Sequence, residues 1–419
     1  MKPLFLASAL IASLVLYGCE QGEEELLELS DTSFSGISCE GTTLEVSVSS
    51  NVEWSVTEAP QWCVAEKKGE ETLILQIERN YTLNPRNATV VVAGESGDIS
   101  QTIVLYQDAF DPETHVYRLP VIFHVLYHDI NDPKQYVKPE RLPEILEEVN
   151  RVWRSTGSGN AGMGVEFVLA AKDPQGQLLP EPGVERIPWE TEEVDIYHFM
   201  DSNSGIYNYL IWEPNEYINV FICKSKNKTL AGRSTFPYAP NTNPLEGLET
   251  VAYHLKGENL AYAYCICINN HYIYEKTTSS TPNQTDAALT LAHEIGHYLG
   301  LCHTFSEGNS DICEDTDYCT DTYSYNRKEY EEALSSVDLS LYTFEELAQR
   351  YDCARNKVFT SLNIMDYEIG YIQEFTPQQR ARTRHVLNYS SLIPGPKIGL
   401  ASTRATYDGV LDLPIRTME

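Results

Sequence analysis

The chain has 419 residues, and its 30 lysines and arginines face 61 aspartates and glutamates, which gives a formal net charge of −31. Binding to a phosphate backbone depends on clustered basic side chains, so this acidic balance excludes a nucleic-acid-binding role. Hydrophobic residues make up 42% of the chain and charged residues 22%, which excludes a disordered acidic polymer and predicts two or three folded domains. Ten cysteines are too few for a disulfide-scaffold protein of this length.

The chain begins with an export signal. An apolar run over residues 4–16 is shorter than the ~20 residues that a membrane-spanning helix needs, so it is interpreted as the central part of a signal peptide. The run ends in Leu16-Tyr17-Gly18-Cys19, which resembles a bacterial lipobox. The resemblance implies a signal peptide over residues 1–18, lipidation of Cys19 and anchoring to the membrane through that lipid. A plain secretory signal is the alternative.

The segment after the signal, residues 19–29, is interpreted as an acidic tether, with three glutamates in a row at 23–25. It resembles the acidic export signals that carry some Gram-negative lipoproteins to the outer face of the cell. The sequence therefore predicts an outer membrane lipoprotein exposed on the cell surface, with the periplasmic face as the alternative.

Residues 30–108 show the period-two hydrophobic pattern of β-strands. Apolar and polar residues alternate over 43–49, 52–56, 73–77, 89–92 and 102–106. Turn-forming glycines and an Asn-Pro pair separate these runs, a pattern typical of an antiparallel β-sandwich. The two cysteines of this segment, Cys39 and Cys63, could pair with each other or stay free.

This segment resembles the BACON domain, an immunoglobulin-like module of bacterial surface proteins. The resemblance rests on Trp54, Trp62, Asn80, the run 86–89 and Gln107. It implies glycan or mucin binding through residues 30–108. Buried tryptophans and a spacer role remain the alternatives to a sugar-stacking platform.

Residues 115–400 differ from the preceding segment in their hydrophobic pattern and form the predicted catalytic domain. A nearly continuous apolar run over 119–127 indicates a strand that is buried on both faces. A helical pattern follows over 142–152, and further strands are predicted over 165–169 and 217–222. Strand, helix and strand in this order predict an α/β layer. Residues 401–419 are interpreted as a C-terminal tail.

The chemistry is carried by a run of thirteen residues from Leu291 to His303. His293 and His297 are four residues apart and so share one helix face, where two imidazoles can hold one Zn²⁺. Glu294 is placed to act as general base on a metal-activated water. Gly300 can end the helix with a positive φ, so that His303 returns as a third ligand. Three chance histidines on a helix are the alternative.

This extended motif resembles the metzincin signature, and metzincins also carry a Met-turn. Asn363-Ile364-Met365-Asp366-Tyr367 matches that turn. The resemblance implies that Met365 forms an apolar floor beneath the zinc. It also implies that Tyr367 contacts the metal or stabilises the oxyanion of the transition state.

Among metzincins the chain resembles the pappalysins, also called cytophagalysins, over residues 115–390. The segments that carry the resemblance are 120–125, 230–237, 303–305 and 375–382. It implies a multidomain protein in which the β-sandwich precedes an α+β catalytic domain with a twisted mixed sheet, an active-site helix and an irregular C-terminal subdomain. The segment 230–237 is implied to be an antiparallel edge strand that binds a peptide substrate.

The loop after His303 departs from the pappalysin pattern because it lacks the expected proline. It contains Asp311, Asp315, Asp317 and Asp321, which could hold Ca²⁺ or could form a solvated acidic loop. Cys313 and Cys319 are predicted to pair across it. Cys265 and Cys267, on a probable strand, are predicted to point to opposite faces and to stay unpaired.

The sequence therefore predicts a zinc endopeptidase on a cell-envelope lipoprotein. The first alternative is a surface-binding protein whose metzincin unit is inactive, although the intact Glu294 argues against it. The second is a latent enzyme that requires activation.

Overall fold

The computed structural model describes residues 24–157, 160–279, 282–306, 314–367, 369–398 and 406–419. The predicted signal peptide and Cys19 lie outside these residues. The chain divides into two compact units, the first ending at Phe110 and the second beginning at Asp111, with residues 81–83 assigned to the second. In the ranges described, no helix is long and apolar enough to cross a membrane.

The N-terminal unit is made of two four-stranded sheets, ordered β1-β3-β6-β5 and β2-β8-β7-β4. Its strands are β1 (Leu27–Leu29), β2 (Ser33–Ile37), β3 (Thr42–Ser50), β4 (Trp54–Glu58), β5 (Cys63–Lys67), β6 (Thr72–Ile77), β7 (Arg86–Gly94) and β8 (Ser100–Gln107). The five predicted strands are confirmed as β3, β4, β6, β7 and β8. Strands β2 and β8 pair in parallel, so the sandwich is not antiparallel throughout.

Period-two alternation explains the core of this unit, because the inward residues of both sheets meet in one apolar cluster. Trp54 is 3% exposed within it, and its indole N–H donates to the carbonyl of Glu70 at 2.8 Å. Trp62 is half-buried, and the Arg86 guanidinium lies 4.4 Å from the centroid of its ring. Trp54 is therefore core, and the ring face of Trp62 is covered by a cation.

Of the two outcomes that the sequence left open for Cys39 and Cys63, the structure has the unpaired one, because both carry free thiols. Cys63 begins β5 and points into the core, where burial raises the pKa of its thiol to about 11. Cys39 lies in the turn between β2 and β3 and is half-buried. The two side chains thus belong to different environments.

The C-terminal unit combines a mixed sheet with helices, as predicted. Its helices are α1 (Arg141–Arg154), α2 (Ile196–Asp201), α3 (Ala287–Tyr298), α4 (Arg327–Ser335), α5 (Phe344–Leu347) and α6 (Pro377–Tyr389). Its strands are β9 (Tyr117–Tyr127), β10 (Thr156–Gly157), β11 (Asn160–Ala161), β12 (Val165–Leu169), β13 (Val184–Pro188), β14 (Ile218–Cys223), β15 (Gly232–Thr235), β16 (Ala239–Pro240), β17 (Thr250–Val251), β18 (Ile266–Asn269), β19 (Gln349–Asp352), β20 (Lys357–Thr360) and β21 (Thr417–Met418).

The main sheet has the order β12-β9-β14-β18-β15-β21, and β13 also pairs with β9. Strands β9, β12, β13, β14 and β18 run parallel to one another, which suits the nearly continuous apolar sequences of β9 and β14. Strand β15 reverses direction beside β18, and β21 reverses again beside β15. Helix α3, which carries the histidine motif, packs against β15 and β18.

The cysteines of this unit follow the predictions only in part. Cys265 directly precedes β18 and Cys267 lies within it, and their sulfur atoms are 4.0 Å apart, so the prediction that they point to opposite faces is wrong. Both thiols are free, so the two cysteines do not pair with each other, as predicted. Cys319 is a buried free thiol, so the predicted pair with Cys313 is wrong, and Cys313 itself lies outside the described residues. Cys353 is the disulfide-bonded cysteine of the described chain.

Candidate active site

Helix α3 brings three of the predicted site residues together. Asp286 caps its N-terminus by accepting from the backbone N–H of Ala288 at 2.8 Å. His293, Glu294 and His297 lie on the buried part of this helix, with 7%, 2% and 0% of their surface exposed. Their burial fixes the side chains before any ligand arrives.

The helix ends at a Schellman motif centred on Gly300. The N–H of Leu301 donates to the carbonyl of Gly296, and the N–H of Gly300 donates to the carbonyl of His297, both at 2.9 Å. Gly300 has φ +89°, which other residues rarely adopt. This reversal turns the chain back and brings His303 to the other two histidines, as the motif predicted.

The three histidines present one set of donor atoms. The Nε2 atoms of His293 and His297 are 3.0 Å apart, those of His297 and His303 are 3.0 Å apart, and those of His293 and His303 are 3.2 Å apart. A tetrahedral Zn²⁺ at ~2.0–2.1 Å from each nitrogen would separate two ligands by about 3.3–3.4 Å. The donor type and spacing therefore fit a zinc ion held by three imidazoles.

The second nitrogen of each helical histidine is used to fix its ring. His293 Nδ1 donates to the carbonyl of Ile364 at 2.7 Å, and His297 Nδ1 donates to the carbonyl of Leu301 at 2.8 Å. Protonation at Nδ1 leaves Nε2 as the free lone pair that a metal requires. Burial, and then the neighbouring histidines, hold the pKa values of His297 and His303 well below the usual range. Both rings are therefore neutral.

The Met-turn lies directly against this helix. Met365 is fully buried, and its sulfur contacts the place where a side chain on Gly296 would project. The carbonyl of Met365 accepts from the N–H of Thr304 at 3.1 Å, next to His303. Because Ile364 also holds His293, the backbone of the turn supports two of the three histidines, and the Met365 side chain is buried against the same helix.

The Glu294 carboxylate lies beside the three histidines, and one of its two oxygens is the candidate for the predicted proton transfer. Its Oε2 is buried and makes no hydrogen bond within the described chain. A Cβ on Gly232 of β15 would lie 2.7 Å from Glu294 Cγ and 2.8 Å from Oε1, so the absence of a side chain at Gly232 makes room for the carboxylate. Burial, and then the Glu419 carboxylate, raise the pKa of Glu294 well above its usual range, and Arg233 opposes them.

Tyr367 lies beside the histidines. The centroid of its ring is 4.4 Å from that of His303 and 5.3 Å from that of His293. The Arg327 guanidinium lies over the Tyr367 ring at 4.5 Å, a contact that the sequence did not reveal. This cation-π contact clamps the ring against the ligand set.

A buried polar network holds the Met-turn in place. Asp366 accepts from the Tyr325 hydroxyl at 2.5 Å, from the N–H of Tyr367 at 2.8 Å and from the Ser361 hydroxyl. The Arg350 guanidinium lies 3.9 Å from the Asp366 carboxylate. Sequence reasoning missed this network, although a carboxylate directly after the Met-turn methionine was a visible signal.

In the described part of the acidic loop, the predicted calcium ligands Asp315, Asp317 and Asp321 do not converge on one point. Asp311 lies outside the described residues. Asp321 accepts from the Thr376 hydroxyl at 2.7 Å and from the N–H of Gln378 at 2.9 Å, so it fastens the start of α6. Asp317 is buried, and burial, followed by a hydrogen bond between its side chain and the Asp315 carboxylate, raises its pKa to about 7. Within the described ranges, the three-donor clusters close enough to hold an ion include none of these aspartates.

His293, His303 and Glu294 line a cavity of about 700 Å³. Part of its wall comes from the chain's own last residues, Thr417, Met418 and Glu419. The sequence predicted only a C-terminal tail for these residues. These residues include β21, which pairs with β15 almost 200 positions earlier in the sequence. A pairing between such distant residues leaves no local periodic signal, so it could not be predicted from the sequence alone.

Comparisons with known proteins concern the same part of the chain. Residues 201–388 match the family model Peptidase_M43, described as pregnancy-associated plasma protein-A. No curated protein matches the chain. Among solved structures, a mutant of promirolysin from Tannerella forsythia is 20% identical, with a TM-score of 0.46, and the match covers 65% of this chain and 81% of that one. Residues 201–388 are thus similar to a zinc metallopeptidase domain of the pappalysin family, and the histidine motif and the Met-turn lie inside the matched residues.

Proposed function

We propose that this protein is an endopeptidase that uses His293, His297 and His303 to hold one zinc ion and Glu294 as the general base. The observation that carries the proposal is the convergence of three Nε2 atoms within 3.2 Å of one another, beside a buried carboxylate oxygen that has no hydrogen-bond partner in the described chain. When bound, zinc supplies Lewis-acid activation of water and polarises the carbonyl of the scissile peptide bond.

The residues of the chain perform the proton transfers. Glu294 Oε2 takes the proton of the attacking water and delivers it to the leaving amine nitrogen, which balances the hydrolysis. Its place against Gly232 limits the movement of the carboxylate, so little reorganisation is needed at the moment of reaction. Tyr367, clamped by Arg327, supplies a polar group near the developing oxyanion.

Cleavage of casein by the soluble protein of residues 20–419 tests the proposal. Glu294→Ala is expected to lower kcat about 10²–10⁴-fold while it keeps the histidine ligands. Glu329→Ala, which removes an exposed glutamate of α4, serves as the matched control and is expected to change nothing. Zinc chelation should abolish cleavage and added zinc should restore it. Equal cleavage by the Glu294→Ala variant and the unchanged protein would refute the general-base role.

We also propose that Cys19 is lipidated and anchors the protein to the bacterial outer membrane, facing outward. The support is the lipobox-like sequence and the acidic run that follows it. Metabolic labelling with palmitate should mark the unchanged protein and fail to mark Cys19→Ser. Cys39→Ser, which alters a free thiol of the N-terminal unit, is the control that should keep its label. Protease shaving of intact cells then separates the outer from the periplasmic face.

For residues 30–108 we propose a spacer role rather than glycan binding. Trp54 is buried in the core and Trp62 is covered by Arg86, so neither ring offers an open stacking face. A glycan array probed with the whole protein should give no signal. A signal that Trp62→Ala removes would overturn the spacer proposal.

A further inference from the structure

The last residues of the chain extend the catalytic sheet by one strand. Strand β21 pairs antiparallel with β15, with Met418 opposite Ser234 and Thr417 opposite Thr235. The pairing continues outside the named strands, because the N–H of Phe236 donates to the carbonyl of Arg416 at 2.8 Å. Strand β15 is the edge that the family resemblance assigned to peptide substrates, and here the chain's own segment occupies it.

Side chains hold the same segment along its length. The Tyr238 hydroxyl donates to the carbonyl of Pro414 at 2.7 Å, and the Thr417 hydroxyl donates to Asp201 at 3.2 Å. The Arg416 guanidinium donates to the carbonyl of Gly247 and lies 4.4 Å from the centroid of the Phe236 ring. These contacts fix both the register and the direction of the segment.

The segment ends among the catalytic groups. A backbone oxygen of Glu419 hydrogen-bonds the His303 ring, which is one of the three predicted ligands. The Tyr197 hydroxyl donates to the Glu419 carboxylate at 2.7 Å, and Arg233 stacks over the Tyr197 ring at 4.5 Å while it pairs with Asp201 at 2.8 Å. The residue at position 419 therefore has its backbone at the ligand set and its side chain in a polar subsite.

We propose that Pro414–Glu419 occupies the half of the cleft that receives the substrate residues preceding the scissile bond, and that it competes there with peptide substrates. The inference rests on the proposed peptidase function for its catalytic meaning. An edge strand forms hydrogen bonds with the backbone of an added strand, whether that added strand belongs to the same chain or to a peptide substrate. The segment and a substrate can therefore occupy the same place beside β15. Tyr197, Arg233 and Asp201 then act as specificity-determining residues of this half of the cleft.

A proline substitution in the full chain provides the test. Antiparallel pairs alternate between hydrogen-bonded and non-bonded positions, so the bonded pair of Phe236 with Arg416 places Met418 at the next bonded position. Met418→Pro removes that donor and weakens the pairing. Asp412→Pro puts a proline at an exposed position upstream of the pairing and is the matched control. Arg416→Ala combined with Thr417→Ala weakens the segment without proline if Met418→Pro fails to fold.

Binding is measured first, without catalysis, in the Glu294→Ala background. A fluorescent nonapeptide of residues 411–419 should bind Met418→Pro about tenfold more tightly than it binds the protein with its own segment intact. The reason is that the loss of one net hydrogen bond lowers the occupancy of the cleft by the chain's own segment by about that factor. Asp412→Pro should bind the peptide as weakly as the intact segment does. Equal peptide binding by Met418→Pro and the intact protein, with the double variant in agreement, would overturn the proposal.

Catalysis is measured second, with variants that keep Glu294. Met418→Pro should cleave a quenched peptide with a kcat/KM about tenfold higher, and the free nonapeptide should inhibit it competitively. If the binding difference is found but no variant cleaves, the proposed peptidase function fails while the occupancy of the cleft stands. If all variants cleave equally and the peptide does not bind, the occupancy fails while the peptidase function stands.

Discussion

Gly232 offers the sharpest test of how the sheet positions the general base. A Cβ at this position would meet Glu294 at 2.7 Å from Cγ, 2.8 Å from Oε1 and 3.0 Å from Cδ, where ordinary contacts begin at about 3.4 Å. Glu294 is 2% exposed and cannot swing into solvent, so Gly232→Ala must displace its carboxylate by roughly 1 Å. A displacement of ~1 Å at a catalytic group costs about 10²-fold in rate, or about 2.7 kcal/mol of transition-state stabilisation.

Steady-state hydrolysis of a quenched peptide measures this effect, preferably in the Met418→Pro background. We expect kcat to fall about 10²-fold for Gly232→Ala. Gly257→Ala adds a methyl group near Pro214 and Glu213, at 3.2 and 3.3 Å, and should leave kcat unchanged. A thermal unfolding midpoint recorded for each variant separates displacement of the base from general overpacking, which costs about 1–3 kcal/mol. The reasoning is refuted if Gly232→Ala keeps its kcat within about threefold at an unchanged midpoint.

Three further predictions concern the support of the site. Met365→Ala should lower the free energy of unfolding by about 2–5 kcal/mol, because it opens a cavity beneath α3, and chemical denaturation that shows no loss would contradict this packing. Gly300→Ala should weaken zinc binding at least tenfold in a chelator competition, because a side chain at φ +89° disturbs the turn that presents His303; an unchanged affinity would show that the turn is not needed. Asp317→Asn should gain thermal stability relative to the unchanged protein as pH rises from about 4 to about 7. The raised pKa of Asp317 means that the folded state binds its proton more tightly than the unfolded state does. The stability that Asp317 contributes is therefore lost as pH rises through this window. A difference in thermal midpoint between the two proteins that is equal at pH 5 and pH 8 would contradict this prediction.

The features with strong local signals could be predicted from the sequence. The histidine motif dictates a helix, a glycine turn and a returning ligand over eleven residues, and each step has its own physical cause in spacing or in φ. The strands of the N-terminal unit follow from alternation, as in β3 and β6. The mixed α+β class follows from the same periodicities, and the structure confirms it.

The remaining features depend on pairings between distant residues. Asp321 serves the start of α6, 55 residues away, and nothing near it in sequence distinguishes that role from a calcium ligand. The same holds for Gly232, whose importance comes from Glu294 on a neighbouring helix, and for the short strand β21. Two residues cannot show a periodic pattern, so the occupied cleft could be seen only in the fold.

The central claim is that three histidines hold zinc and Glu294 moves the proton. The most direct measurement is the zinc content and peptide-hydrolysis rate of Met418→Pro beside the same protein that also carries Glu294→Ala. We predict about one zinc per chain in both proteins and a rate at least 10²-fold lower without Glu294. Equal rates in the two proteins, or a purified protein that binds no zinc and still cleaves, would contradict the claim.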